Sequence, residues 1–382
     1  MDVEQAVRER YANGAKAQEP ALCCPVEYDP QFLKVIPQEI LERDYGCGDP
    51  SRYVKKNEVV LDLGSGSGKI CYIASQIVGA AGRVIGVDGN DEMLALSRGF
   101  QKELGQRIGW ENVQFRRGKI QDLALDLDRV DGWLREHPVR GAADLQAFEE
   151  HCRMLRAEHP LIADDSIDLV VSNCVLNLVR DDDKPQLIAE IYRVLKRGGR
   201  AAISDIVSDE DVPAHLKADP EMWSGCISGA MREDQFLKAF EDAGFHGIEL
   251  DKFDSKPWRT VEGIEFRAVT VVARKGKEGE CWDRNQAVIY KGPFRQVCDD
   301  DGHLLRRGER VAVCEKTFEI YKQAPYASAF EFIEPHQSVP LADSKPFDCK
   351  RTSRRDPRET KGAEYEATTD ASGCCDPKSS CC

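Results

Sequence analysis

Several features that would assign this chain to a common class of protein are missing from its sequence. The longest apolar runs, such as residues 269–273, have the length of a strand and are too short to span a membrane. The first residues form no apolar signal region, so we expect a cytoplasmic protein without a membrane partner. The formal net charge of −14 is the opposite of the basic excess that nucleic-acid binding requires, which argues against a nucleic-acid partner.

Cysteine, by contrast, is abundant, with 15 residues in a chain of 382. Disulfides are rare in the cytoplasm, so we expect most of these cysteines to be reduced. Reduced thiolates bind soft metals and metalloids, and the sequence therefore favours metal, metalloid or redox chemistry. Zinc is disfavoured in the C-terminal part, because the cysteines there lack tight Cys-x-x-Cys spacing. These cysteines are Cys281, Cys298, Cys314 and Cys349.

Short apolar strands alternate with helical segments in the central part of the chain. The five predicted strands lie at residues 58–63, 83–88, 112–116, 166–172 and 200–207. Such alternation predicts an α/β fold with a doubly wound, mostly parallel sheet, covered by helices on both faces. We assign this domain to residues 55–275.

The other segments frame the predicted α/β domain. Residues 1–54 are predicted to form an N-terminal cap segment, and residues 123–162 a charged helical insertion over the edge of the sheet. Residues 276–350 are rich in short β-like runs and turns, which indicates a small C-terminal domain. Residues 351–382 are polar and are expected to be a disordered tail. The tail contains Cys374, Cys375, Cys381 and Cys382.

A glycine-rich turn joins the first predicted strand to the following helix. Gly64, Gly66 and Gly68 allow a sharp turn and the close approach of a ligand to the backbone. The spacing lacks the two-residue gap before the third glycine that marks dinucleotide-binding turns. Asp88 ends the second strand, where a carboxylate can hold both hydroxyls of a ribose, and Asp62 would lie near a positively charged ligand. Together these residues predict a nucleoside-containing ligand.

Four cysteines lie where such a fold would build a site. Cys174 follows the fourth strand, whose carboxyl end meets the ligand crevice of a doubly wound sheet. Cys226 follows the fifth strand, and Cys47 lies between glycines in a loop expected to cross the crevice. Cys71 lies near the positive end of the helix after the glycine turn, which would lower its thiol pKa and favour a reactive thiolate. The alternative, a small apolar core residue, stays open for each and is weakest for Cys174.

The glycine turn and the carboxylate after the second strand resemble those of class I S-adenosylmethionine-dependent methyltransferases. The resemblance spans about residues 55–275. It implies that the turn faces the methionine end of S-adenosylmethionine, that Asp88 faces the ribose, and that Ile120 flanks the adenine unless it is a core residue. The implied cofactor-binding residues are Asp62, Gly64, Ser65, Gly66, Gly68, Asp88, Gly89, Ile120 and Asn173.

Four cysteine motifs narrow the resemblance to the arsenite S-adenosylmethionine methyltransferases. They are Tyr45-Gly-Cys-Gly48, Lys69-Ile-Cys-Tyr72, Ser172-Asn-Cys-Val175 and Gly225-Cys-Ile-Ser-Gly-Ala230. The resemblance implies four catalytic cysteines: Cys174 and Cys226 as ligands of trivalent arsenic, and Cys47 and Cys71 as a thiol–disulfide relay pair. It also implies an external thiol reductant, glutathione or thioredoxin, and methylated arsenic as the product of a detoxification reaction. Residues 290–294 and 313–317 resemble the C-terminal domain of that family.

The chemistry of trivalent arsenic is consistent with this set of residues. Arsenic bound to thiolates keeps a lone pair that can attack a sulfonium methyl group in line, so alignment replaces a general base. None of the seven histidines falls in the motifs above, which fits a reaction without a general base. Two alternatives stay open: a quinone- or sterol-type C- or O-methyltransferase with incidental cysteines, and a metalloid-binding protein without enzymatic activity.

Overall fold

The computed structural model of the protein describes residues 3–19, 26–362 and 364–368. The chain divides into an N-terminal unit, Met1–Gly276, and a C-terminal unit, Lys277–Cys382. None of the described helices is both long and apolar enough to cross a membrane.

One sheet of nine strands organises the described part of the N-terminal unit. Its strands are β1 Val59–Leu63, β2 Arg83–Asp88, β3 Val113–Arg117, β4 Ile167–Asn173, β5 Leu195–Ser208, β6 Met231–Arg232, β7 His246–Phe253, β8 Arg259–Val261 and β9 Ile264–Arg274. The order is β3-β2-β1-β4-β5-β9-β7, with β6 beside β5 and β8 beside β9. Strands β1 to β5 are parallel, whereas β9 is antiparallel to both β5 and β7. The predicted doubly wound, mostly parallel sheet is confirmed.

Helices cover both faces of this sheet. They are α1 Val3–Lys16, α2 Pro30–Leu33, α3 Gln38–Glu42, α4 Lys69–Val78, α5 Asp91–Gly99, α6 Gln101–Ile108, α7 Leu127–Glu136, α8 Ala142–Glu158, α9 Lys184–Val194, α10 Ala214–Lys217, α11 Pro220–Ser224 and α12 Glu233–Asp242. Successive side chains of a strand point to opposite faces, so Leu61 joins the core under α9 and α12, while Val60 joins the core under α4. Burial on both faces explains why β1 and β4 are mostly apolar, with polar residues such as Asp62 and Asn173 near their carboxyl ends.

The predicted insertion consists of α7 and α8, which connect the edge strand β3 to β4. Arg117 at the end of β3 pairs with Asp131 of α7 at 2.5 Å, which ties the insertion to the edge of the sheet. Val130, Cys152 and Leu155 form a small apolar cluster of their own. Cys152 is thus a core residue of the insertion.

The described part of the C-terminal unit is built from short strands and two short α-helices. The elements are β10 Trp282–Asp283, β11 Ala287–Tyr290, β12 Gln296–Cys298, β13 Leu304–Arg306, β14 Arg310–Ala312, α13 Glu315–Tyr321, β15 Phe330–Ile333, β16 Lys345–Pro346 and α14 Pro357–Lys361. Strand β11 lies between β14 and β15, and its Val288 packs with Phe318 of α13 in the core of the unit. The short strands expected from the sequence are present.

The first part of the predicted disordered tail, from residue 351 to the end of α14, is ordered. Arg355 is buried and binds Asp283 at 2.5 Å and Glu359 at 2.9 Å, and Arg310 donates to the Thr360 hydroxyl at 3.0 Å. Asp283 and Arg310 are distant in sequence from the residues they bind, so composition alone predicted a solvated segment. The last four cysteines of the predicted tail lie outside the described residues.

Candidate active site

A cavity of about 360 Å³ opens where β1, β2 and β4 end, at the carboxyl edge of the parallel strands. Ligands of doubly wound proteins bind at this edge. Of the predicted cofactor-binding residues, the cavity is lined by Asp62, Gly64, Ser65, Gly66, Asp88, Gly89, Ile120 and Asn173. Cys174 lines it as well, so the cavity joins the predicted cofactor residues to one predicted arsenic ligand.

The three glycines of the turn have different tasks. All three have positive φ, of 67°, 49° and 87° in chain order. A Cβ on Gly64 would lie 2.5 Å from Val175, and one on Gly68 would lie 2.8 Å from the Phe115 ring. Gly68 immediately precedes α4 and is absent from the cavity wall, so the close packing of Phe115 and not a ligand accounts for this glycine. Only Gly66 leaves open space on its side, where a ligand can approach the backbone.

Asp88, the last residue of the neighbouring strand β2, binds the backbone of the glycine turn. Its Oδ2 accepts a hydrogen bond from Gly66 N at 2.9 Å, and its Oδ1 accepts one from Asn90 N at 2.8 Å. Burial raises the pKa of this carboxyl, although the backbone donors oppose the shift. The Ser65 hydroxyl beside it is buried and has no hydrogen-bond partner among the described residues. An unsatisfied buried hydroxyl in a cavity wall is suited to a polar ligand.

The surroundings of Cys71 disfavour the reactive thiolate predicted for it. The residue is fully buried, and its Sγ donates to Asp62 Oδ2 at 3.3 Å. Burial raises the pKa of the Cys71 thiol well above its usual value, and the Asp62 carboxylate raises it further. The prediction considered only the positive end of helix α4, because the sequence does not show that the Asp62 carboxylate faces the sulfur.

Asp62 is a titratable residue in the wall of the cavity. Burial raises the pKa of its carboxyl to about 8, the Cys71 thiol lowers it, and Asp44 and Asp88 raise it. Asp44 pairs with Lys69, whose ammonium also lies 3.9 Å from the centre of the Tyr28 ring. A group of carboxyls around one cavity favours a cationic ligand, since a positive charge there would stabilise their ionised forms.

Helix α1 forms a wall of the cavity that sequence reasoning did not assign. Glu4, Val7, Arg8 and Tyr11 all line the cavity. The Asn90 side chain donates to the carbonyl of Arg8 at 3.1 Å and so attaches the helix to the turn after β2. No local motif marks these residues, because their role follows from where α1 packs.

Three of the four predicted catalytic cysteines meet beside the cavity. Cys47, Cys174 and Cys226 belong to one apolar cluster, whereas Cys71 belongs to another. Cys47 and Cys174 form a disulfide, with their Cα atoms 5.9 Å apart. The Cys226 thiol donates to the carbonyl oxygen of Cys174 at 3.4 Å. The disulfide partner of Cys47 is therefore Cys174, and not the Cys71 of the predicted relay pair.

Comparisons with known proteins identify the family. A methyltransferase-domain model matches residues 54–162 and 150–244, and a model of a domain of unknown function matches residues 277–365. An arsenite methyltransferase of Aquipseudomonas alcaligenes is 32% identical over 327 residues, which cover 81% of this chain and 84% of that protein. This chain belongs to the arsenite methyltransferase family.

Two further relatives extend the match. The arsenite methyltransferase of Mus musculus is 28% identical over 93% of this chain and 89% of its own length. The crystal structure of an arsenic(III) S-adenosylmethionine methyltransferase from Chlamydomonas reinhardtii is 24% identical, with a TM-score of 0.55. The match covers 85% of this chain and all of that one. It shows that the fold is shared.

In this arsenite methyltransferase family member, Asn173 holds the loop that carries Cys47. Its side-chain oxygen accepts from Cys47 N at 2.9 Å and from Gly48 N at 3.0 Å, and its amide nitrogen donates to Gly48 O at 2.7 Å. A Cβ on Gly46 would lie 2.1 Å from that nitrogen. The glycines around Cys47 thus let the loop lie against Asn173, which was predicted only as a cofactor contact.

Asp205 holds the segment after Cys174 and was missed in the sequence. Its Oδ2 accepts from Leu176 N at 2.8 Å and from Asn177 N at 3.3 Å. Asn177 in turn donates to the carbonyl oxygens of Ile206, at 2.6 Å, and Cys226, at 3.4 Å. Burial raises the pKa of Asp205 to about 6. A charged residue inside the apolar fifth strand was the available signal, because buried carboxylates need partners.

Both proposed arsenic ligands have an unusual backbone. Cys174 has a φ of 58° and Cys226 a φ of 62°, in the left-handed region that residues with a Cβ avoid. Such a conformation costs about 1–2 kcal/mol and persists only where neighbours impose it. The hydrogen bonds of Asp205 and Asn177 provide that constraint, so the backbones carrying these two sulfurs are held in place.

Proposed function

We propose that this chain transfers methyl groups from S-adenosylmethionine to trivalent arsenic bound by Cys174 and Cys226. The observation that carries the proposal is the position of Cys174, which lines the acidic cavity and contacts Cys226. A soft ligand held by these two sulfurs would lie at the wall of the cofactor cavity. Proximity and alignment of this kind can lower a barrier by about 7–11 kcal/mol.

The cavity residues fit the cofactor. The open side of Gly66 admits the methionine end, and the unsatisfied Ser65 hydroxyl can bind its polar groups. The Asp88 carboxylate can accept hydrogen bonds from ribose hydroxyls. Asp62 and Asp44 offset the positive charge of the ligand. When bound, S-adenosylmethionine supplies a methyl group on a sulfonium, which the arsenic lone pair can attack.

Cys47, Cys174 and Cys226 lie in buried, apolar surroundings. Ile206, Ile227 and Phe266 are buried around the cysteines. An apolar surrounding disfavours separated charge, and so favours a reaction that neutralises the sulfonium. An arsenic lone pair carries no proton, so the reaction needs no histidine.

The Cys47–Cys174 disulfide supports a route by which arsenic regains its electrons. Each methylation raises the formal oxidation state of arsenic by two. We propose that the Cys47 thiolate then attacks the sulfur of Cys174 while that sulfur is bound to arsenic. The sulfur–sulfur bond forms, the arsenic–sulfur bond breaks, and its electron pair stays on arsenic, which returns to the trivalent state. An external thiol, glutathione or thioredoxin, would then reduce the disulfide.

Product speciation tests this function. Purified full-length protein would be incubated with arsenite, S-adenosylmethionine and glutathione, and the arsenic species separated by chromatography and counted by mass spectrometry. We expect mono- and dimethylated arsenic to form, with one S-adenosylhomocysteine released for each methyl group transferred. Methylation of a quinone under the same conditions, with arsenic left unmethylated, would contradict the proposal in favour of a carbon or oxygen acceptor.

A further inference from the structure

The C-terminal unit contains a second group of three thiols. The Sγ atoms of Cys281, Cys314 and Cys349 all lie within 4.8 Å of one another, and all three residues are reduced. We call this group the C-terminal thiol cluster. Among the described residues, no histidine, aspartate, glutamate or further cysteine joins these three as a fourth ligand.

Ordered structure brings the three sulfurs together. Strands β10 and β16 pair, and Phe347 N donates to the carbonyl oxygen of Cys281 at 2.8 Å, which places the segments of Cys281 and Cys349 side by side. Cys314 precedes α13, and its Sγ accepts a hydrogen bond from Thr317 N at 3.3 Å. Cys314 is fully buried, and the other two are partly exposed, so a small ligand can reach the cluster.

A lysine stabilises negative charge at this cluster. Lys316 is held by its ammonium, which donates to Lys277 O at 2.7 Å and Gly279 O at 2.8 Å. Burial raises the pKa of the Cys281 thiol, but Cys349, Cys314 and Lys316 together bring it below its usual value. Burial raises the pKa of the Cys349 thiol, and its hydrogen bond to Cys281 raises it further. A cation therefore lies beside the three sulfurs, where it would offset the negative charge of thiolate ligands.

We infer that the C-terminal thiol cluster is a separate binding site for trivalent arsenic, which it holds through three sulfurs. Structural zinc sites are closed by four ligands, whereas trivalent arsenic is satisfied by three thiolates in a pyramid. Arsenous acid and three thiols give one arsenic trithiolate and three waters, with no change of oxidation state. The inference rests on the proposed function only in taking arsenic as the metalloid that the protein meets.

The test measures arsenic binding where the catalytic site is removed. In full-length protein, Cys174, Cys226 and the six cysteines outside the described residues (Cys23, Cys24, Cys374, Cys375, Cys381 and Cys382) would be changed to serine. Equilibrium dialysis of this reduced parent protein with arsenite should give one arsenic per chain, with three sulfurs around it by X-ray absorption. Adding Cys349→Ser should weaken binding by at least about tenfold, as expected for loss of a ligand. Cys298→Ser, at an exposed cysteine of the same unit, is the matched control and should leave binding unchanged.

Three outcomes would overturn the inference. They are no arsenic bound by the parent protein, arsenic bound equally after Cys349→Ser, and stoichiometric zinc at the cluster that arsenite does not displace. Cys281→Ser provides a second variant should Cys349→Ser fail to fold, as judged by circular dichroism. Because binding is read without turnover, absence of methylation by the wild-type protein would refute the proposed function and leave this result intact.

Discussion

Among the described residues, two groups of three cysteines place the same functional group in different surroundings. Cys47, Cys174 and Cys226 lie on loops at the carboxyl edge of the sheet, in an apolar cluster that meets an acidic cavity. The C-terminal thiol cluster lies between a strand pair and a short helix, beside Lys316. The first group adjoins a place for a methyl donor and already contains a disulfide, whereas the second contains three reduced thiols. If both proposals hold, the surroundings of the sulfurs, more than their number, decide whether bound arsenic can react or is only held.

The largest effect should come from removing a proposed arsenic ligand of the first group. Cys226→Ser is expected to lower arsenite methylation by at least about 100-fold, since loss of alignment alone can cost that much. Binding of S-adenosylmethionine, measured by calorimetry, should persist because Cys226 is absent from the cavity wall. Cys298→Ser is the control and should keep the wild-type rate. Near-normal turnover of Cys226→Ser would remove the distinction between the two groups.

The next effect concerns the loop that carries Cys47. Asn173→Ala removes three buried hydrogen bonds, so urea unfolding should show a loss of about 2–3 kcal/mol. Gln146→Ala, on the exposed surface of α8, is the control and should change stability by less than about 0.5 kcal/mol. Equal stability of the two variants would mean that Asn173 does not hold the loop.

A smaller effect is the pH dependence of ligand affinity expected at the acidic cavity. The folded carboxyl of Asp62 has a pKa of about 8, raised mainly by burial, so it is protonated below that pH. A cationic ligand favours the ionised form, and its affinity should rise by up to about tenfold per pH unit up to pH 8 and then level off. Calorimetry with S-adenosylmethionine should show this rise together with proton release.

Two controls isolate the contribution of Asp62. S-adenosylhomocysteine lacks the sulfonium charge and should show a weaker dependence on pH. Asp62→Asn should flatten the dependence for S-adenosylmethionine between pH 6 and 8. A steep rise that survives in Asp62→Asn would assign the titration to another group.

The smallest effect is a difference in the rate of alkylation between individual thiols. The pKa of Cys281 lies below its usual value, whereas that of Cys71 lies well above it, so iodoacetamide at neutral pH should modify Cys281 first. Lys316→Met should slow the reaction of Cys281 by a few-fold, about what the loss of one nearby charge produces. Mass spectrometry of digested protein gives both rates. Faster modification of Cys71 would contradict the described environments.

Several parts of the site could be predicted from the sequence because local pattern determines them. The glycine turn and Asp88 follow buried strands, and parallel strands place their carboxyl ends at one edge. Cys174 could be placed at the crevice for the same reason. Tail residues such as Arg355 were misjudged, because a charged residue far from its partners in sequence carries no sign of being buried.

The sequence by itself determined the fold class, the cofactor turn and the presence of a thiol at the end of β4, since strand periodicity and glycine spacing act over a few residues. Only the tertiary structure decided which sulfurs meet. It joined Cys47 to Cys174, turned Cys71 toward Asp62, and gathered Cys281, Cys314 and Cys349 from three separate segments. The physical reason is that a thiol takes its pKa and its partners from neighbours in space, and those neighbours are set by packing between distant parts of the chain.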